Sequence, residues 1–252
     1  MRRIGLIGEI MAQNLRISKK NTNFATKMKK SSIIVPQGMR RVLLHACCAP
    51  CSSAIVEWLC AHEIEPIIFY FNPNIYPQEE YEIRKAESKR HAESLGIQWI
   101  DGDGGCQMLD VGCQMSVVSG QWSASHAEWL EAMHGLENEP ERGSRCARCF
   151  YYRMLATAKK AQELGIPYFA TTLASSRWKN LEQINAAGEK AAEDVGCKIL
   201  DVRCEILDVH FWAQNWRKDG LQERRNALLK EYGFYNQQYC GCEFSMRSQL
   251  ND

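Results

Sequence analysis

The sequence predicts a single α/β domain built on a parallel sheet, and three observations carry that expectation. Short apolar runs alternate with helix-length segments, the pattern of βαβ units. At 252 residues, 45% hydrophobic and 24% charged, the chain is long and apolar enough to bury a substantial core. No apolar run approaches ~18 residues, which excludes a membrane-spanning helix and leaves a globular protein with no membrane partner.

The elements follow in order. Arg41–Ala46 (RVLLHA) is a buried strand running into Cys47, and Ser52 or Ser53 is placed to cap a helix that continues to about His62. Pro66–Phe71 (PIIFYF) is a second strand, punctuated by Asn72-Pro73-Asn74 and then Pro77. Gln78–Leu95 is a charged helix stopped by Gly96, and Gln98–Ile100 is a third strand. Gly102–Arg145 breaks the alternation and is expected to be an irregular insertion carrying one helix around Ala127–His134. Cys149–Leu164 is a helix ended by Gly165-Ile166-Pro167, and Tyr168–Leu173 is a strand. Asn180–Val195 is a helix ended by Gly196, Ile199–Val202 a short strand, and Asn215–Tyr232 a last amphipathic helix. In a parallel sheet, chemistry gathers beyond the carboxyl ends of the strands, and the first cysteine group falls there.

The formal net charge of +1 conceals a basic opening. From Met1 to Arg41 ten Lys and Arg stand against Glu9 alone, an excess of about +9. The stretch lacks the continuous apolar core of a secretory signal, because Gly5, Gly8 and Glu9 interrupt Ile4–Ile10. A solvated extension, an arm that helps hold nucleic acid and an organelle-targeting peptide are all compatible with it, as is a start codon placed too early, with Met28 and Met39 downstream. The domain division is therefore a basic, loosely packed extension over 1–38 and a single α/β domain over 39–252, with 102–145 as the insertion.

Twelve cysteines are the anomaly. With no secretory signal the chain is expected to be cytoplasmic, where thiols stay reduced, so metal or redox chemistry is favoured over a disulfide scaffold. Cys60, Cys106, Cys113, Cys197 and Cys204 stand apart and read as small buried hydrophobes. Seven others are grouped: Cys47, Cys48 and Cys51; Cys146 and Cys149; Cys240 and Cys242. Thiolates hold zinc, copper(I) or iron–sulfur clusters. The CxxC of Cys146 and Cys149 opens a helix, whose N-terminus favours the thiolate. Adjacent Cys47 and Cys48 are awkward for a zinc knuckle but can converge on a compact polynuclear centre. Cys240-Gly241-Cys242 can chelate a metal or cycle between dithiol and disulfide. A cubane takes four thiolates, so seven imply one four-cysteine site and something more. A four-thiolate structural zinc with spare thiols is the plain alternative.

Taken together, LLHACCAPCSS, FYFNPNIYPQEEYEIRKAE, RCARCFYYRMLATAKKAQELG, FATTLASSRWKN and the late YCGC resemble the QueH family of epoxyqueuosine reductases over about Arg41 to Ser248. The resemblance implies a three-layer α/β fold of the adenine-nucleotide alpha-hydrolase (HUP) type with metal-binding cysteines at the carboxyl ends of its strands. It implies reduction of the epoxide of epoxyqueuosine, at the tRNA wobble position, to queuosine. It brings a [4Fe-4S] cluster matched to Cys47, Cys48, Cys146 and Cys149, and a nearby additional iron for which Cys51 would be a ligand. Cys240 and Cys242 match a catalytic redox-active pair, or ligands to that second metal. The implied partners are the tRNA anticodon stem-loop carrying epoxyqueuosine and a low-potential electron donor of unknown identity. The basic extension and Gly102–Ser125, with Cys106 and Cys113, depart from the shorter family pattern.

Epoxide-to-alkene conversion needs two electrons and two protons and expels water, a demand that suits a cluster, a Lewis-acidic iron and a dithiol. For protons, His45, Tyr70, Tyr76 and Tyr239 are candidates whose simpler role is in the core or at the rim. For substrate, Arg177 and Lys179 suit a phosphate and Trp178 suits a stacked base, against a reading in which Trp178 is a hydrophobic anchor beside solvated charges. An ATP-dependent tRNA-modifying enzyme of the same broad fold would carry a glycine-rich loop after the first strand; CCAPCS stands there instead. A zinc-stabilised RNA-binding module without redox activity is the rival outside enzymology.

Overall fold

In a computed structural model, residues 32–103, 121–196 and 208–245 are described. Five strands, β1 (Arg41–His45), β2 (Glu65–Tyr70), β3 (Trp99–Asp101), β4 (Tyr168–Thr171) and β5 (His210–Phe211), form one sheet in the order β3-β2-β1-β4-β5. Every pairing is parallel. β1 and β2 are buried at every position after the first, as strands covered on both faces must be, and this is why they read as unbroken apolar runs rather than alternating ones.

The crossovers are α1 (Ala49–Ala61), α2 (Gln78–Ser94), α3 (Gln121–Ala132), α4 (Ser144–Glu163), α5 (Leu181–Gly196) and α6 (Leu221–Glu231). α1 packs with α2 and α6, and α4 packs with α5. Trp58 of α1 stacks on His62 and meets Trp212 and Trp216 edge-on or tilted, closing the core beside β4. Trp216 is fixed there by donating its indole N–H to Thr171 O at 3.1 Å.

Four local expectations change. α1 is capped by Cys48 rather than Ser52 or Ser53, whose hydroxyls lie inside the helix and donate back to Cys48, Ala49 and Pro50 carbonyls. Strand β4 stops at Thr171, whose hydroxyl accepts from Leu173 N and turns Thr172–Ser175 into a 3₁₀ turn. The last helix starts at Leu221, because Asp219 and Gly220 both adopt left-handed backbone (φ 58° and 79°) that no α-helix contains. The CxxC helix begins earlier than Cys149, at Ser144.

The expected strand Ile199–Val202 lies outside the described residues, as do Cys106, Cys113, Cys197 and Cys204; the fifth strand found is the two-residue β5. The described chain also reaches back beyond Met39. Ser32 donates to Asp219, Trp212 Nε1 donates to Ile34 O at 3.0 Å, and Ile33 and Val35 pack on the core. No helix among the described residues is long and apolar enough to cross a membrane.

Candidate metal centre and substrate cleft

β1 and β4 lie side by side at the middle of the sheet, and their exits at the carboxyl edge leave a crevice between diverging connections. Cys47, Cys48 and Cys51 occupy that exit from β1. All three are buried and their sulfurs lie within 4.8 Å of one another, with Cys47 and Cys48 Sγ 3.8 Å apart. The Cys48 and Cys51 thiols, helped by Lys179 and the Thr172 hydroxyl, hold the Cys47 thiol well below its ordinary range. Burial pushes Cys48 up, and its bond to Cys47 pushes Cys51 up. A thiol of lowered pKa beside two thiol donors is a set that can chelate a cation with release of the remaining protons. Gln237 Nε2 donates to Cys48 Sγ at 3.2 Å from the far side.

The second group sits on the first turns of α4. Cys146 and Cys149, three residues apart, share one face of the helix. The expectation that the helix N-terminus lowers these thiols does not hold here. Burial raises Cys149 and pushes Cys146 up to about 11, although Arg142 N donates to Cys146 Sγ at 3.2 Å. Desolvation of a thiolate outweighs the helix end when both sulfurs face inward. Cys60, raised to about 11 chiefly by burial, is a packing residue, as expected.

The third group is clasped to the Asn72–Pro77 loop. Tyr76 N donates to Gly241 O at 2.8 Å, and Ile75 bridges Cys242 in antiparallel fashion. Arg84, buried and paired with Glu80, donates to the carbonyls of Tyr239 and Cys240. Gly241 takes φ +100°, and a Cβ there would stand 3.0 Å from both Ile75 Cγ1 and Arg84 Nη1. The bend therefore requires glycine. Cys240 is exposed and Cys242 is buried against Cys149, Trp129 and Phe244. All eight described cysteines are free, and no disulfide joins Cys240 to Cys242.

The groups line two adjoining cavities. Cys146, Cys149, Cys240 and Cys242 line a narrow cavity of about 50 Å³, and Cys47, Cys51 and Cys240 line a wider one of about 530 Å³. Asn74, Glu141, Arg153, Trp178, Lys179 and Cys240 border both. The sulfurs of Cys47 and Cys48 thus group with Cys51, while Cys146 and Cys149 face Cys240 and Cys242 across the smaller space.

The substrate candidates divide. Arg177 and Trp178 are exposed, Trp178 by 79%, whereas Lys179 is half-buried. Burial pulls the Lys179 ammonium down, but the thiols of Cys240, Cys47 and Cys51 outweigh it and hold it above its usual range. Lys179 therefore answers the sulfurs, with the exposed pair outside it. Their loop is fixed at successive carbonyls, Trp178 O accepting from Arg142 and Lys179 O from Arg217, both at 2.8 Å. The helix after it opens only at Leu181, with Asn180 Oδ1 accepting from Glu182 N and Gln183 N.

Of the proton candidates, His45 is a satisfied core residue. Nε2 must donate to Phe71 O, so Nδ1 accepts from the Thr171 hydroxyl, and burial with Arg153 nearby lowers its pKa to about 3. Tyr70 is fully buried, and Tyr239 donates its hydroxyl to Tyr76 O. Sequence reasoning missed Arg153, which donates to Asn72 Oδ1 while Asn72 Nδ2 donates to Ala46 O. Its signal was its place four residues after Cys149, on the inward face of the same helix.

A family model described as Epoxyqueuosine reductase QueH matches residues 42–248. Proteins named Epoxyqueuosine reductase QueH are similar along most of the chain. That of Histophilus somni (strain 129Pt) is 38% identical over 232 residues, covering 92% of this chain and 83% of the relative. That of Acinetobacter baylyi is 40% identical over 213 residues, 84% of each. That of Thermotoga maritima is 31% identical over 208 residues, covering 82% of this chain and 91% of the relative.

Proposed function

The chain belongs to the epoxyqueuosine reductase QueH family, and from that premise we propose that it reduces the epoxide of epoxyqueuosine in the anticodon stem-loop of tRNA, yielding queuosine. The observation that carries the reading is that six thiols line two adjoining cavities at the carboxyl edge of a parallel sheet, with Cys48 grouped beside Cys47 and Cys51. The sheet order supports a three-layer fold of the adenine-nucleotide alpha-hydrolase type, and grouped metal-binding cysteines suit a cytoplasmic enzyme.

In the reaction two C–O bonds break and a C=C bond forms; two electrons and two protons enter, and oxygen leaves as water. The donor set fits iron, since buried thiolates are the ligands that clusters take. Cys47, Cys48, Cys146 and Cys149 would hold a [4Fe-4S] cluster, and Cys51 would serve an additional iron. When bound, these groups supply electron transfer and Lewis acidity toward the epoxide oxygen. The chain's own residues do the rest. Cys240 and Cys242 as a dithiol carry two electrons and two protons, matching the reaction, and an external low-potential donor restores them after oxidation. Lys179 and Arg153 balance the thiolate charge. Trp178 and Arg177 meet the RNA at the mouth, the indole stacking on a base and the guanidinium facing phosphate. A zinc-stabilised RNA-binding module is not favoured by membership of a reductase family.

The grouping of Cys51 with Cys47 and Cys48 makes ligand assignment the first test. After anaerobic purification, Cys146→Ser loses iron and colour, because serine replaces a soft thiolate poorly. Cys51→Ser keeps the chromophore and loses only the extra iron. Loss of the chromophore in Cys51→Ser would move that residue into the cluster, and full iron in Cys146→Ser would overturn the assignment.

A further inference from the structure

The walls of the cleft are rich in cationic side chains and poor in carboxylates. Arg84, Arg145, Arg153, Arg177, Lys179 and Arg225 are among the basic groups that border its two cavities. Against them Glu141 is the one carboxylate that borders either cavity among the described residues, and it borders both. Glu141 is exposed at the mouth and has no ion pair or hydrogen bond with any described residue.

A second acceptor lies deeper. Asn74 is 2% exposed, borders both cavities, and its Oδ1 has no hydrogen-bond partner among the described residues. A buried amide oxygen left without a donor is costly unless something else supplies one. Nor can the loop easily relax to supply it. Asn72 is tied to Ala46, Arg153 and Asp103, Ile75 N donates to Asn72 O, and Tyr76 N donates to Gly241 O.

We propose that Glu141 and Asn74 form the acceptor pair that recognises the side arm of the modified base. The inference rests on the reductase reading and deepens it. That arm joins its oxygenated cyclopentane to the deazaguanine through a secondary amine, protonated at neutral pH, and its ring carries hydroxyls. Glu141 takes the ammonium at the mouth, where the neighbouring Arg and Lys side chains would otherwise repel it. Asn74 Oδ1 takes a ring hydroxyl at the depth of the thiols, which orients the epoxide toward them. Guanosine at the wobble position offers neither donor, so the pair discriminates modified from unmodified tRNA.

The experiment measures binding by the full-length, anaerobically purified protein to two anticodon stem-loops, one bearing epoxyqueuosine and one bearing guanosine. Iron content and turnover are followed in parallel. Wild type prefers the modified loop. Glu141→Gln and Asn74→Leu each cut that preference by about tenfold, as loss of a hydrogen bond involving a charged or buried group should. Affinity for the guanosine loop and iron content stay at wild-type values, and Asn74→Asp, which keeps an acceptor oxygen, restores most of the preference. An undiminished preference in Glu141→Gln and Asn74→Leu overturns the inference, as does a wild type that converts the substrate without preferring it. Iron loss in Asn74→Leu, unrescued by Asn74→Asp, would make Asn74 structural and overturn its part. Failure of the reductase reading looks different: iron-loaded wild type would leave epoxyqueuosine unconverted.

Discussion

Asp103 shows how a residue outside the thiol groups enters the pH behaviour of the molecule. It is 1% exposed, and burial lifts its pKa to about 6, although Asn72 N and the Tyr81 hydroxyl both donate to Oδ2. With the folded value above the ordinary 3.8, its contribution to stability is complete below that pH and is lost as pH rises through about 6. His91 acts in the opposite sense: burial lowers it to about 4, so its contribution is complete above 6.5 and is lost as pH falls through 4. Asp103→Asn is expected to remove the alkaline-going loss between about pH 4 and 6, read as urea midpoints of variant against wild type; parallel profiles would contradict the assigned burial. The thiols were legible in the sequence because grouped cysteines have few uses. Asp103 and Arg153 were not, since their importance comes from burial, and a polar residue after a strand or on a helix gives no sign of lying beneath other elements. The inward position of Lys179, beside an outward Trp178, was hidden for the same reason.

At the scale of elements, the CxC segment depends on its clasp to α2 and the Asn72–Pro77 loop. Gly241→Ala must place a methyl 3.0 Å from Ile75 and Arg84 at φ +100°, costing about 1–2 kcal/mol and displacing the pair. Arg84→Met leaves Glu80 buried without its cation and frees two carbonyls of the segment, costing about 3 kcal/mol. Both variants are expected to keep the iron chromophore and lose most turnover, with faster amide exchange confined to 239–242. Unchanged turnover in both would detach the clasp from function. Strand and helix order was readable because β1, β2 and α2 are long or bounded by Gly and Pro. Their ends were less so. Two-residue β5 is too short to carry a period, and the late start of α6 follows from backbone at Asp219 and Gly220 that a helical periodicity conceals.

For the whole molecule, segments about 200 residues apart in sequence, Cys47 and Cys242, come to adjoining cavities that share Cys240, a convergence expected from the alternation together with the need of four or more thiolates for one site. Ahead of β1, Ser32 and Ile34 bond to Asp219 and Trp212, and Ile33 and Val35 pack on the core, through contacts no local pattern reveals. Removal of residues 1–31 should therefore keep the iron chromophore and the unfolding midpoint. Removal through 38 should lower stability by about 1–2 kcal/mol, the worth of a lost hydrogen bond or two with some apolar packing. Equal midpoints would show that the Ser32–Val35 contacts carry no weight. The central claim, that the thiol-lined cleft performs a two-electron epoxide reduction, is tested most directly by nucleoside mass analysis of tRNA. Epoxyqueuosine-bearing tRNA is incubated anaerobically with iron-loaded protein and a chemical reductant. The modified nucleoside should lose one oxygen atom with wild type, and stay intact with Cys242→Ser although that variant keeps its chromophore. Intact epoxyqueuosine after incubation with iron-loaded, reduced wild type would contradict the account.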